Sequence, residues 1–166
     1  MPSHKPYPSP GRTNRLPYPA AARLARVIVA VIDAPEDPRS FEAWGTIVGA
    51  SRGALRDWCR AAGVRGRDAL SFARTLRAVY HAKVESEVSG VPGPLEAFLD
   101  IISDRRRHMH LVRAGVADKQ VIAIEAFLRI QRIIQDDRLI DAIEELCKAR
   151  GLTSTPVDKS NTWFNT

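Results

Sequence analysis

Phe41-Glu42-Ala43-Trp44-Gly45-Thr46-Ile47-Val48-Gly49-Ala50-Ser51-Arg52-Gly53-Ala54-Leu55-Arg56-Asp57-Trp58-Cys59-Arg60 decides how this chain is read. A tight helix-turn-helix imposes a steric rule at each inward or turning place of about twenty residues. With Phe41 as the first place, the fifth must be small so that a second helix can approach, and it is Gly45. The ninth lies in the turn and favours glycine, which is Gly49. Apolar side chains are needed at the fourth, eighth, tenth, fifteenth and eighteenth places, where Trp44, Val48, Ala50, Leu55 and Trp58 stand. Ser40, or Asp37 with Pro38, caps a helix over 41–48, and Ser51 caps the next, which runs to Ala62 and stops at Gly63.

That register turns Ser51, Arg52, Gly53, Arg56, Asp57 and Arg60 outward. The three arginines are spaced by four and stack on one face, where like charges cost an isolated helix a few tenths of a kcal/mol per pair. A phosphate-lined groove reverses that sign. Planar guanidinium forks pair with guanine O6 and N7 in the major groove, and a carboxylate such as Asp57 accepts from cytosine N4 or holds a neighbouring arginine. Ser51 and the amides near it suit phosphate, Arg52 and Arg56 suit bases, and Arg60 with Arg65 and Arg67 suits the backbone. The bland alternative is a solvated surface on an arginine-rich chain.

These residues resemble the DNA-binding region of the AraC-like transcription regulators. The likeness covers about residues 22–82. It is carried by Leu24-Ala25-Arg26-Val27-Ile28, by Ser40-Phe41-Glu42-Ala43-Trp44-Gly45, and by Val48-Gly49-Ala50-Ser51 with Leu55. Gly63 and Arg74 resemble the glycine and arginine around that family's linker helix. The resemblance implies sequence-specific binding to duplex DNA. Family members carry a second helix-turn-helix, and a frame over Leu111–Ile124 with Gly115 in the turn puts bulky Leu111 where a small residue belongs. The second unit is read as degenerate or absent.

Outward from this stretch, the rest reads as helix. Ala20–Asp33 repeats apolar residues at three and four; its β-branched run also suits a strand, but no second strand exists to pair with it. A helix from about Arg67 carries Leu70, Ala73, Leu76 and Tyr80 along one face. After the break at Ser89–Pro94, Leu95, Phe98, Leu99 and Ile102 form an apolar stripe. Asp104 and Gly115 bracket a basic helix. Asp118 starts another that is apolar on nearly every side over 121–134, and Asp137–Arg150 is the last. About eight helices result. An all-round apolar helix needs cover, either as a central core element or at a subunit contact, so 121–134 is the candidate homodimer interface.

With 166 residues, 45% hydrophobic and 27% charged, the chain has the balance of a globular domain with a sizeable core. Residues 1–82 carry thirteen basic and six acidic side chains and residues 83–166 twelve and thirteen, so the net charge of +6 belongs to the first half. A polyanionic partner fits that field. Two cysteines, Cys59 and Cys147, suggest neither a disulfide framework nor a zinc module. The longest unbroken apolar run near the start, Val27–Ile32, is too short for a signal or a span. Six of eleven prolines fall within the first nineteen residues, where Lys5, Arg12 and Arg15 supply the charge of an extended tail.

Three further patterns carry less. Gly49-Ala50-Ser51-Arg52-Gly53 matches the hydrolase elbow G-x-S-x-G, which needs a parallel sheet beneath it. His108 and His110 point about 200° apart on a helix, too far to share an ion, and with Arg105, Arg106 and Arg107 they read as a basic surface, solvated in preference to touching phosphate. Asp137, Asp141, Glu144 and Glu145 read as solubilising charge, and Trp163 and Phe164 stand in an otherwise polar end.

The sequence thus predicts an all-α protein, with a disordered proline-rich tail over 1–19 and a helix-turn-helix DNA-binding unit over 20–88. A helical region over 95–151, serving dimerisation or a degenerate second motif, and a frayed tail over 152–166 complete it. The predicted function is a cytoplasmic, sequence-specific transcription regulator that binds double-stranded DNA, with no enzymatic activity, cofactor, metal or membrane. Its rival is a helical protein-interaction module that keeps the helix-turn-helix shape without binding DNA.

Overall fold

The computed structural model describes residues 19–91, 93–117 and 121–153. Lys5, Arg12, Arg15, Asp118, Trp163 and Phe164 lie outside the described residues. The protein is all-helical: α1 (Pro19–Val29), α2 (Phe41–Val48), α3 (Arg52–Ala61), α4 (Gly66–Ser89), α5 (Asp104–Arg113), α6 (Ile124–Ile130) and α7 (Asp137–Ala149). Two 3₁₀ turns, Ala30–Asp33 and Leu95–Phe98, complete the order, and there is no strand among the described residues. No described helix is long and apolar enough to cross a membrane.

α4 is the spine, packing against α1, α3 and α6 and against both 3₁₀ turns, while α7 returns to cover α1. Leu24, Ile28, Phe72, Leu76, Phe127 and Ile143 belong to one buried cluster that runs from α1 to α7. The core is therefore continuous across the two regions that the proline break separates in sequence. Phe72 on α4 and Phe127 on α6 meet at 5.4 Å between ring centroids.

Two expected helices are shorter than their apolar patterns. The stripe 95–102 forms only the 3₁₀ turn, after which Leu99 is extended (φ −112°, ψ 117°). Side chains from elsewhere claim the backbone groups that a longer helix would use. Arg77 donates to the Phe98 carbonyl, Arg74 to that of Asp100 and Arg107 to that of Ile101, while the Asp100 amide donates to Asp37. Leu95 and Leu99 are buried, and Ile102 is left exposed.

The element expected over 121–134 is α6 alone, seven residues long. Its β-branched flanks are weak helix formers, and the buried Gln131 ends it. The Gln131 amide oxygen accepts from the Ile133 and Ile134 amides at 2.9 Å, and its nitrogen donates to the Ile134 carbonyl at 2.7 Å. Ile124, Phe127, Leu128, Ile133 and Ile134 are buried within the same chain. This segment fills a core position, and of its apolar side chains only Ile130 is exposed.

Candidate nucleic-acid interface

α2 is seated before α3 arrives. Ser40 Oγ accepts from the Ala43 amide at 3.1 Å, and the wholly buried Trp44 donates its indole N–H to the Val27 carbonyl of α1 at 2.9 Å. Gly49 leaves the helix with φ 69°, a conformation that only glycine adopts without cost. The Ala50 amide then turns back to the Gly45 carbonyl at 2.9 Å. A Cβ on Gly45 would stand 2.3 Å from the Ala50 carbonyl oxygen, so the small fifth residue is a steric requirement.

Ser51 Oγ accepts from the Ala54 amide at 3.0 Å and caps α3. Leu55 and Cys59 are buried beneath α3, and Trp58 is half-buried with the Arg23 guanidinium 5.6 Å over its ring. Ser51, Arg52, Gly53, Arg56, Asp57 and Arg60 are all exposed, the register read from the sequence. Asp57 and Arg60 pair at 3.7 Å with 72% and 82% of their side chains in solvent. Such a pair contributes little and leaves both ends available. Burial pushes the thiols of Cys59 and Cys147 up to about 11, which keeps both protonated at neutral pH.

α4 starts hard against this pair. A Cβ on Gly66 would lie 2.5 Å from Phe41 Cζ, and the Arg56 guanidinium sits 5.9 Å over the same Phe41 ring. Two open depressions flank that contact. One of about 450 Å³ is lined by Arg39, Ser40, Phe41, Arg52, Arg67 and Ser71, among others. The other, about 410 Å³, includes Arg56, Arg60, Gly63 and Arg65 in its lining. The exposed cations of α3 are thus joined by Arg39 before α2 and by Arg65 and Arg67 at the start of α4. Arg39 was not singled out in the sequence; only its place just ahead of the Ser40 cap marks it.

Arg74 lines the first depression but is occupied. Its guanidinium grips Asp37 at 3.0 and 2.7 Å and reaches the Asp100 carbonyl at 3.2 Å. The Asp37 side chain, 4% exposed, also accepts from the Asp100 amide at 2.7 Å. Arg77, buried one turn on, donates to the carbonyls of Ala34 at 3.0 Å, Pro35 at 3.1 Å and Phe98 at 3.3 Å. Burial lowers its pKa, and Asp37 opposes that shift. These two arginines brace the loop ahead of α2 against the segment ahead of α5. Arg77 was legible only as a charge set between the buried Leu76 and Ala78 of an apolar helix face.

The solvated reading of the histidines holds for His108 and fails for His110. The Thr75 hydroxyl gives its proton to the Ser71 carbonyl at 2.9 Å, so His110 Nε2 donates to Thr75 Oγ1 at 2.6 Å. Burial first, then the nearby Arg74, holds the ring's pKa down to about 4, with Asp37 opposing. Lys148 lies 3.5 Å from Glu144 and 3.8 Å from Glu145 on the outer side of α7. Among the described residues no group of three or more histidines, cysteines or carboxylates is placed to hold a metal ion.

α5 and α6 do not repeat the α2–α3 turn. Gly115 has φ 74°, and the Val116 amide turns back to the Leu111 carbonyl at 2.9 Å, but Ala114 to Ala123 separates the two helices. Comparison with family models, curated proteins and solved structures finds no match for this chain.

Proposed function

We propose that the protein is a cytoplasmic transcription regulator that binds specific sequences of duplex DNA, laying α3 in the major groove. One observation carries this reading: Arg52, Arg56 and Arg60 stand exposed on a helix whose opposite face, Leu55 and Cys59, is buried. Around them Arg39, Arg65 and Arg67 add cations on the rims of two depressions. In this reading Ser51, Gly53 and the first amides of α3 approach a phosphate, Arg52 and Arg56 read base edges, and Asp57 orients Arg60 or accepts from cytosine. Arg60, Arg65, Arg67 and Arg39 neutralise backbone. Gly53 suits close approach, since a Cβ there meets nothing nearer than Ser51 Oγ at 3.9 Å. One helix reads few base pairs, so a pair of copies on a two-fold site supplies the remaining specificity.

Fluorescence anisotropy over a salt series, on duplexes selected from a random pool, tests the reading. Arg56→Ala is expected to relax base preference and cost about 1–3 kcal/mol, whereas Arg67→Ala lowers the salt slope by about one with preference kept. Absence of salt-dependent binding to any duplex would favour the protein-interaction reading instead.

A further inference from the structure

α5 is positioned by polar ties more than by packing. Of its ten residues only Leu111 is buried. Ser103 caps it, and Arg107 donates to the Ile101 carbonyl at 2.8 Å and faces Asp104 at 3.3 Å. His110 meets Thr75, and Arg113 meets Asp68 at 2.5 Å. So short a helix is marginal alone and needs such support. What the ties hold out is Arg105 and Arg106, both exposed and both without a side-chain partner among the described residues. Consecutive like charges, with exposed His108 beside them, favour a polyanion over an empty surface.

Two contacts near the ends of α5 lead toward the depression that α2, α3 and α4 form. At its end, Arg113 holds Asp68, the neighbour of Arg67; ahead of its start, Asp100 lies 3.6 Å from Arg39. Arg39 and Arg67 line that depression together with Arg52. Arg106 precedes Arg113 by seven residues, a rotation of only ~20°, so it shares the flank turned toward the start of α4, about 10 Å along the axis.

We infer that the exposed start of α5 is a second contact for duplex DNA, in which Arg106 on this flank and Arg105, ~100° further round the axis, neutralise backbone phosphates flanking those around α3. The inference rests on α3 being a DNA reader, and it assigns α5 a role in affinity and footprint but none in reading bases. It also accounts for a basic helix held outward beside a spine whose own Arg74 and Arg77 are consumed internally.

The test compares Arg105→Ala/Arg106→Ala, Arg105→Lys/Arg106→Lys and Arg56→Ala with the unaltered protein. Readouts are anisotropy over a salt series and hydroxyl-radical footprinting, on duplexes selected from a random pool. The alanine pair is expected to unfold at the same temperature, to lower the slope of log K against log salt by about 2 (roughly 0.9 per phosphate), and to lose protection at one flank. Base preference stays unchanged, and the lysine pair keeps the slope. A wild-type slope and footprint for the alanine pair, with Arg56→Ala still relaxing preference, would overturn this inference and leave the α3 reading intact. If no duplex is bound in a salt-dependent way, both fall.

Discussion

In α2 and in α5 alike the chain leaves the helix through a left-handed glycine, Gly49 at φ 69° and Gly115 at φ 74°. In both, the next amide returns to a carbonyl five residues back, Ala50 to Gly45 and Val116 to Leu111. After that the two regions part. Three residues, Gly49 to Ser51, separate α2 from α3, whereas ten separate α5 from α6. The residue four places before the turn accounts for the difference. Gly45 has no side chain, so the Ala50 carbonyl occupies the space a Cβ would need; Leu111 directs its own side chain into the core. α3 can then stand on a shallow seat with its arginines outward, while α6 is absorbed into the interior and its last carbonyl, that of Ile130, lies 2.8 Å from where a Cβ on Gly115 would be. The turn glycine alone does not make an outward-facing second helix.

Making the first region resemble the second is the severest way to break this comparison. Gly45→Ala places a methyl 2.3 Å from a backbone oxygen, and α3 must shift. The expected cost is on the order of 3 kcal/mol in urea unfolding, with the proposed duplex binding lost alongside. Unchanged stability would mean that close approach does not seat α3.

Leu111→Ala probes the other side. At 5% exposure, its removal leaves a cavity worth about 2–3 kcal/mol, and the duplex binding proposed for α3 should be kept once folded protein is compared.

The joint between the regions is sensitive to acid. His110 is held near pKa 4 in the fold against 6.5 when unfolded, so between those values the unfolded chain binds more protons. Stability is full above pH 6.5 and declines as pH falls toward 4, by about 2 kcal/mol once partial exposure of the ring is allowed for. Urea midpoints at successive pH values, with His110→Asn expected to flatten the profile, measure it. The smallest effect is expected at Asp57→Ala, whose exposed pair with Arg60 should change the melting free energy by no more than about 0.5 kcal/mol.

Sequence reasoning reached the bounds of α2 and α3 because each of their ends is fixed locally, by Ser40, Gly49, Ser51 and Gly63. α5 was equally plain between Asp104 and Gly115. The failures have two causes. Over 121–134 the apolar pattern is helical, but the buried Gln131 amide closes locally on Ile133 and Ile134 and ends the helix. Over 95–102 it is helical too, but long-range donors and acceptors decide the backbone, those of Asp37, Arg74 and Arg77. A partner sixty residues away leaves no local trace. His110 was misread for the same reason, since Thr75 lies on another helix. Of the candidate interface, the exposed face of α3 was legible from its register, whereas Arg39 joined it only when the loop ahead of α2 folded back beside α4.

The return of α7 to α1 limits how this molecule can be taken apart. Arg150 donates to the Val29 carbonyl at 3.4 Å and pairs with Asp33, while Leu139, Ile143 and Cys147 of α7 join the same buried cluster as Leu24 and Ile28. A fragment cut after Ser89 would strip the lid from α1, the helix that receives the Trp44 indole, and so would deprive α2 of its footing. Dissection into a minimal α2–α3 unit is closed off: the last turn of the described chain is needed to hold up the first.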